Sequence, residues 1–353
     1  MQTTALTTQP ITALAAAGQI ANDIAGQSVF ADYQVRKASN TLKRQGADLD
    51  KFAAFLTGAG LTVGDLPADP AAWAGVTWGL IEGLKRHLLA AGYAVGSVNV
   101  ILATVKTYAG LASQAGAIPA GELALIKQVK GYRHGEAVNV DQQRSAAGQA
   151  VRRSTRSNGA AAAHKLTPTV ISKAQAKQLK TPANETGQAR RDALLMALLL
   201  DHGLRISEAA ALEVSNFALT AGTLTFYRAK VHLTQTHKLT PATIKTARLY
   251  FAADAPVMGN VWRQSNKAGK LTGQGMTAHA LTLRVTALGL ALGIVNLSAH
   301  DCRHYWATAA ARNGTQLDRL MDAGGWSSLA MPQRYLEAAR ISNSGVKLDD
   351  GGD

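Results

Sequence analysis

The chain has 353 residues, is 47% apolar, and carries 37 Lys and Arg against 23 Asp and Glu, a net charge of +14. Length and apolar content allow two domains with buried cores, and the basic excess is the electrostatic footprint of a nucleic-acid binder. A single cysteine, Cys302, excludes an intrachain disulfide framework and a Cys-based zinc site, and suits a reducing cytoplasm. No Lys or Arg precedes Arg36 and no run of ~18 apolar residues occurs, so neither a secretory signal nor a membrane span is expected.

Aromatic residues make up only 5% of the chain while Ala and Leu abound, which favours helices. The first half reads as a helical bundle over residues 25–130, after an N-terminal extension of residues 1–24. "SNTLKRQGADLDKFAAFLTGAG" opens on Ser39-Asn40-Thr41, carries Leu42, Leu49, Phe52, Phe55 and Leu56 at helical spacing, and stops at Gly58 and Gly60. "WGLIEGLKRHLLAAG" repeats the pattern with Leu80, Leu84 and Leu88 apolar and Lys85 and Arg86 polar. A third helix, "GSVNVILATVKTYAGLASQAG", has Ser97 as its expected cap and Lys106 on its wet face. Between residues 131 and 165 the period collapses; with Arg144, Arg152, Arg153 and Arg156, this reads as a basic interdomain linker, or equally as a solvated loop or frayed helix.

The second domain, residues 166–340, opens on Thr167 as cap and Pro168 at the first helical position. "ARRDALLMALLLDHGLRISEAAAL" predicts a strongly apolar helix, a break at Gly203, and a second helix capped by Ser207. "GTLTFYRAKVHLTQTHKLT" is the clear β segment, with Leu224, Phe226 and Arg228 alternating with Thr225 and Tyr227. From Ala242 onward the pattern is again mainly helical, and residues 341–353 form a tail.

Three stretches could carry chemistry. In "SAHDCRHYWATAAARNG", Ser298 is a plausible cap and Gly314 a plausible stop, and His300 and Arg303 share one helix face, as a site for an anion such as phosphate requires. The same residues space His300 and His304 like a zinc-protease helix, but the acid is Asp301 rather than Glu, and no third ligand stands out downstream. In "DHGLRISEAAAL", Glu208 lies three residues after Arg205, a pair that is usually structural. In "GGWSSLAMPQRY", Tyr335 follows Trp326 by nine residues and is either a core aromatic or a nucleophile.

Taken in order, "HGLRISEAAAL", Lys230, "AHDCRHYWATAAARNG" and "GGWSSLAMPQRYLE" resemble the boxes of the tyrosine recombinases, the phage integrase family. "SNTLKRQGADLDKFAAFL" is similar to the family's core-binding domain, so the resemblance covers residues 25–340. Trp326 stands where most members carry His, and Cys302 where Leu is common. Lys238, eight residues after Lys230, competes with it for the position of the strand lysine.

The resemblance implies a mainly α fold with a small β-sheet or hairpin: a helical core-binding domain and a mixed α/β catalytic domain, closing as a clamp around DNA. It implies a site-specific recombinase acting on double-stranded DNA through a 3′-phosphotyrosyl intermediate, without metal or cofactor. Tyr335 would be the nucleophile, Arg205 and Arg303 the phosphate clamp, His300 a positioning or proton-transfer group, Lys230 the general acid, Trp326 an N–H donor, and Glu208 the support for Arg205 or His300. Lys43, Arg44, Lys85, Arg86, Lys106, Arg152, Arg153 and Arg156 are the candidate DNA-backbone contacts. Expected with these are a homotetrameric synaptic complex, a tail that either reaches a neighbouring protomer or is a disordered end, no membrane association, and a cytoplasmic, nucleoid-associated location. A type IB-like topoisomerase and a DNA-binding relative without catalysis are the alternative readings.

Overall fold

The computed structural model describes residues 12–149 and 168–339, and the chain divides into two compact units between residues 164 and 165. The first unit is helical: α1 (Ala13–Val35), α2 (Ser39–Gly58), α3 (Trp78–Ala90), α4 (Val95–Gln114), α5 (Ala120–Gln128) and α6 (His134–Ala146). Its centre is α4, which packs against each of the other five. This helix is long and apolar enough to cross a membrane, but Val98, Leu102, Val105, Tyr108 and Ala109 on it are buried, as in the core helix of a bundle.

Rings fill the core of this unit. Phe52 and Trp73 lie 5.7 Å apart, Trp73 stacks on Tyr108 at 6.3 Å, and Phe30 meets Tyr108 edge-on at 5.6 Å. The Trp73 indole N–H donates to the Leu66 carbonyl at 2.9 Å, so burying this side chain leaves no polar atom unpaired.

Several expected boundaries move. The second helix begins at Ser39 with Ala38 in the cap position, and the cap expected at Ser97 is instead Ala94, with the helix beginning at Val95. The first helix starts at Ala13, inside the expected extension. Residues 134–146, expected in the linker, form α6, which contacts α4. Charge rather than an apolar stripe holds it: Arg144 is buried and donates to the carbonyls of Tyr93 (3.0 Å) and Leu89 (3.1 Å) and to Asp141 (3.3 Å). Arg152, Arg153, Arg156 and the tail lie outside the described residues.

The second unit is built from α7 (Lys173–Leu179), α8 (Gly187–Asp201), α9 (Ile206–Ala210), β1 (Phe217–Ala218), β2 (Thr223–Arg228), β3 (Leu233–Lys238), α10 (Pro241–Ala253), β4 (Arg263–Ser265), β5 (Leu271–Gly275), α11 (Ala278–Ala291), α12 (Ala299–Arg312), α13 (Leu317–Gly324) and α14 (Ala330–Ala339). The fold class is therefore mainly α with small antiparallel sheets, in the order β1-β2-β3 and β4-β5 among the described residues.

Helix α8 is buried from Ala193 to Leu200 on every face, the pattern of a central helix, and it packs on α7, α10 and α12. The helix expected behind Thr167 and Pro168 instead begins at Lys173, where Ser172 caps it by accepting from the Gln175 N–H. The segment before it has no regular structure, and the Thr169 N–H there donates to Asp301 at 2.9 Å. The hairpin β4-β5 lies in a region expected to be helical; its strands are short and rich in Gly and polar residues, which leaves little alternation to read.

In the β2-β3 hairpin, Leu224, Phe226 and Arg228 are buried, and their partners across the ladder are His237, Gln235 and Leu233. The opposite face pairs Thr225 with Thr236 through their hydroxyls at 2.8 Å. The strand ends at Arg228, so Lys230 sits in the turn rather than on the strand.

Candidate active site

The site grows from three helix ends. At the first, α8 stops and Gly203 takes a left-handed φ of +60°, which turns the chain into α9. Arg205, not Ser207, occupies the cap position of α9. Glu208, one turn in, accepts from the Arg205 backbone N–H at 2.8 Å through Oε2 and from Arg205 Nη1 at 2.7 Å through Oε1. The same Oε2 accepts from Arg228 Nη1 at 2.9 Å. One buried carboxylate thus fixes two guanidiniums.

At the second end, α12 starts behind Ser298, whose hydroxyl accepts from the Asp301 N–H while Asp301 accepts from the Ser298 N–H at 2.8 Å. Asp301 also holds Thr169, so its carboxylate is spent on local structure. Arg303, one turn on, is 4% exposed. It donates to the Gly203 carbonyl at 2.5 Å and to the Gly324 carbonyl. Its guanidinium carbon lies 4.5 Å from the Trp326 ring centre and 5.8 Å from that of Trp306. Burial first, then Arg205 and Arg228, lowers its pKa to about 10, so it stays a cation at neutral pH.

The third end is the C-terminus of α13. Four successive carbonyls there accept from four side chains, each from a different element: β3, β2, α12 and the cap of α9. Gln235 Nε2 reaches the Asp322 carbonyl at 2.7 Å and Arg228 Nη2 the Ala323 carbonyl at 2.6 Å. Arg303 Nη2 takes the Gly324 carbonyl and Arg205 Nη2 the Gly325 carbonyl at 3.2 Å. The last carbonyls of a helix have no partner within it and carry its negative dipole end, so guanidiniums belong there. Both glycines are needed: Gly325 has φ +57°, and a Cβ on it would meet Arg228 Cδ at 2.6 Å, while a Cβ on Gly324 would strike the Trp326 ring.

Trp326 then lies between Arg303 and Tyr335, with its ring centre 5.4 Å from that of Tyr335. His304 closes the other side, edge-on to Tyr335 at 4.9 Å. Tyr335 is buried, and burial raises its phenol pKa against the opposing pull of Arg303, Arg334 and Arg205. Its proton therefore stays on at neutral pH until a base removes it.

Arg205, Glu208, Arg303, Trp326 and Tyr335 are thus joined by direct contacts or through the C-terminal turn of α13. Lys230 is exposed and shares with Arg205 and Glu208 the wall of a cavity of about 260 Å³. Lys238 lines a different cavity of about 590 Å³, with His202, His237 and Trp306. His300 is exposed at the start of α12. Its neighbour His304 contacts the tyrosine, which spacing alone did not single out. Among the described residues no three His, Cys, Asp or Glu side chains are grouped as metal ligands. Arg228 is the residue whose part in the site the sequence did not reveal; the signal was a cation in register with Leu224 and Phe226.

The candidate backbone contacts of the first unit divide. Lys43 is exposed, and so is Arg86, which only skirts Glu82 at 3.6 Å. Arg44 is half-exposed and bonded to Asp48 at 2.7 Å. Lys85 is turned inward, paired with Glu82 at 2.7 Å and set over the Tyr132 ring. Lys106, expected on a wet face, donates to the carbonyls of Lys127 (2.9 Å) and Val129 (2.7 Å) at the end of α5. Burial lowers its pKa, and it serves as a helix C-cap rather than a free phosphate contact.

A profile of the phage integrase family matches residues 169–340, which takes in nearly all of the described part of the second unit. The chain is 27% identical over 185 residues to the tyrosine recombinase XerD of Neisseria meningitidis serogroup B. That alignment takes in 51% of this chain and 62% of the recombinase's length. The fold is similar to that of the Tn1549 transposon integrase in complex with a circular intermediate DNA, with a TM-score of 0.57 at 14% identity, covering 88% of this chain and 94% of the other. It is also similar to a lambda integrase dimer bound to a COC′ core site, with a TM-score of 0.56 at 14% identity, covering 91% of this chain and 97% of the other.

Proposed function

We propose that the chain is a site-specific DNA recombinase that cuts and rejoins duplex DNA through a 3′-phosphotyrosyl intermediate. The observation that carries this reading is the cluster in which Arg205 and Arg303 grip the turn that leads to Trp326, with Tyr335 against that tryptophan. The phosphodiester enters between the two guanidiniums, which stabilise charge on its non-bridging oxygens as the transition state forms. Tyr335 loses its phenolic proton, with His300 as the group that assists, and its oxygen bonds to phosphorus. The bond from phosphorus to the 5′-oxygen breaks, and Lys230 gives that oxygen a proton. The phosphotyrosyl link keeps the bond energy for rejoining to a new 5′-hydroxyl after strand exchange. Trp326 packs the nucleophile and offers its indole N–H to the phosphate.

A DNA partner is supported by the DNA-bound integrases of like fold and by the net charge of +14. We assign the exposed first-unit cations Lys43 and Arg86 to the DNA backbone, together with Arg152, Arg153 and Arg156 of the linker sequence. Strand exchange between two duplexes calls for several protomers, and we assign a homotetramer to the synaptic complex. The test is a covalent adduct on a pool of randomised duplexes carrying a nick, so that the cut end diffuses away and the adduct persists. Wild-type protein forms the adduct, and forms it equally in excess chelator. Tyr335→Phe binds the pool with unchanged affinity and forms none. An adduct with the Phe variant, or relaxation of supercoils without site preference by a monomer, overturns the assignment.

A further inference from the structure

Arg228 is the most enclosed cation at the site: its side chain is 0% exposed. A buried guanidinium is costly unless every arm is bonded, and here each arm goes to a different element. Nε donates to Gln235 Oε1 on β3 at 2.5 Å, Nη1 to Glu208 on α9 at 2.9 Å, and Nη2 to the Ala323 carbonyl of α13 at 2.6 Å. The guanidinium also lies 4.8 Å from the Phe226 ring centre. Gln235, held by Arg228, passes the grip on to the Asp322 carbonyl.

Its neighbours differ in one respect. Arg205 is 22% exposed at its side chain, and Arg303 keeps a 4% exposed surface with its guanidinium over the Trp326 ring. Both spend a nitrogen on the α13 carbonyls, and a phosphate between them competes for those N–H groups. Arg228 has no exposed surface, cannot meet a phosphate, and keeps its bonds while the other two exchange theirs.

We propose that Arg228 is a positioning residue for the cleavage reaction, fixing the Glu208 carboxylate and the C-terminal turn of α13 so that Arg205 and Trp326 keep their places when DNA draws the neighbouring guanidiniums onto the phosphate. This role rests on the recombinase reading above. It acts through Glu208 on Arg205, and through the Ala323 carbonyl on the turn that carries Trp326.

The experiment measures single-turnover adduct formation on the randomised nicked pool for wild type, Arg228→Met and Arg228→Lys, each with Arg205 present and with Arg205→Ala. Arg228→Met lowers the maximal rate by about 10²-fold, the scale of a misplaced catalytic group, and leaves the half-saturating DNA concentration within a factor of about three. Sulfur at the 5′-bridging position does not restore the rate, because no proton donor is lost. Arg228→Lys keeps the charge, lacks the three-way fork, and stays at least about tenfold slow. With Arg205→Ala, the further loss from Arg228→Met shrinks to less than about threefold, because the two act on one phosphate contact. A merely structural role predicts instead an undiminished loss in that background, with a matching fall in DNA binding and melting temperature; that outcome overturns the proposal. So does wild-type activity in Arg228→Lys. Should Arg228→Met melt below the assay temperature, Arg228→Lys carries the same cycle. Wild-type protein that forms no adduct at all overturns the recombinase reading and this role with it; an active wild type with unimpaired Arg228 variants overturns this role alone.

Discussion

The two units solve the problem of a filled centre in opposite ways. The first closes around rings: Phe52, Trp73, Tyr108 and Phe30 meet face or edge, and the Trp73 N–H is satisfied by one carbonyl. The second, beneath its candidate site, closes around guanidiniums: Arg228 and Arg303 are buried, and they bond one carboxylate and a row of main-chain carbonyls. Rings gain stability from area removed from water and tolerate small shifts. Buried cations gain little net stability but tolerate no loss of partner, so they hold direction where a reaction needs it.

The contrast is sharpest at the chemistry. Lys230→Ala slows cleavage by roughly 10²–10⁴-fold, since a 5′-alkoxide leaves poorly without a proton. A 5′-bridging sulfur restores that variant to near the wild-type rate and leaves Arg303→Ala slow. Rescue of Lys238→Ala rather than Lys230→Ala moves the acid to the far end of β3. The first unit answers differently: Trp73→Ala costs about 3–5 kcal/mol of its stability, read as a lowered melting transition, with the cleavage rate at low temperature unchanged. A matching loss of rate in folded Trp73→Ala protein breaks the division of labour.

Acid tests the second centre again. Burial, then the cations Arg228 and Arg303 with His202, lowers the His237 pKa to about 4, and burial lowers His202 to about 4 against the pull of Asp201. Both folded values lie below the unfolded value of about 6.5, so the unfolded chain binds more protons between them. Stability is therefore full above pH ~6.5 and is lost as pH falls toward ~4, by about 3 kcal/mol for each histidine. Urea midpoints across that range show the fall, and His202→Gln/His237→Gln flattens it; an equally steep fall in the double variant places the titrating groups elsewhere.

The smallest effect concerns surface charge. Arg86→Ala reduces the log–log salt slope of DNA binding by about 0.9, whereas Lys106→Met leaves the slope unchanged and lowers stability by about 1 kcal/mol through its lost carbonyl bonds. A slope that falls for Lys106→Met returns that residue to the DNA interface.

These cases also show what the sequence could reveal. Helical spacing found Leu49, Phe52, Leu84 and Leu88, because burial of an apolar stripe repeats along the chain. The Ser298–Asp301 cap was readable for the same local reason. Lys106 was misplaced because its face is decided by the end of α5, some twenty residues away in sequence. Helix α6 was missed because Arg144, not a period, anchors it. The order of Arg205, Arg303 and Tyr335 pointed to one site, but order says nothing of how residues are held. Arg228 showed only as an odd member of an apolar register; its three partners lie on three separate elements.

The row of carbonyls from Asp322 to Gly325 has a consequence for how such a chain can vary. Every grip on that turn reaches the main chain, which is the same whatever side chain is attached. The machinery is therefore blind to the identity of Ala323, touches the Asp322 carboxylate only through Gln235 at 3.3 Å, and is exacting about the two glycines, where an added Cβ meets Trp326 or Arg228. The turn can drift in sequence, and with it the surface it shows, while the address of the nucleophile stays fixed.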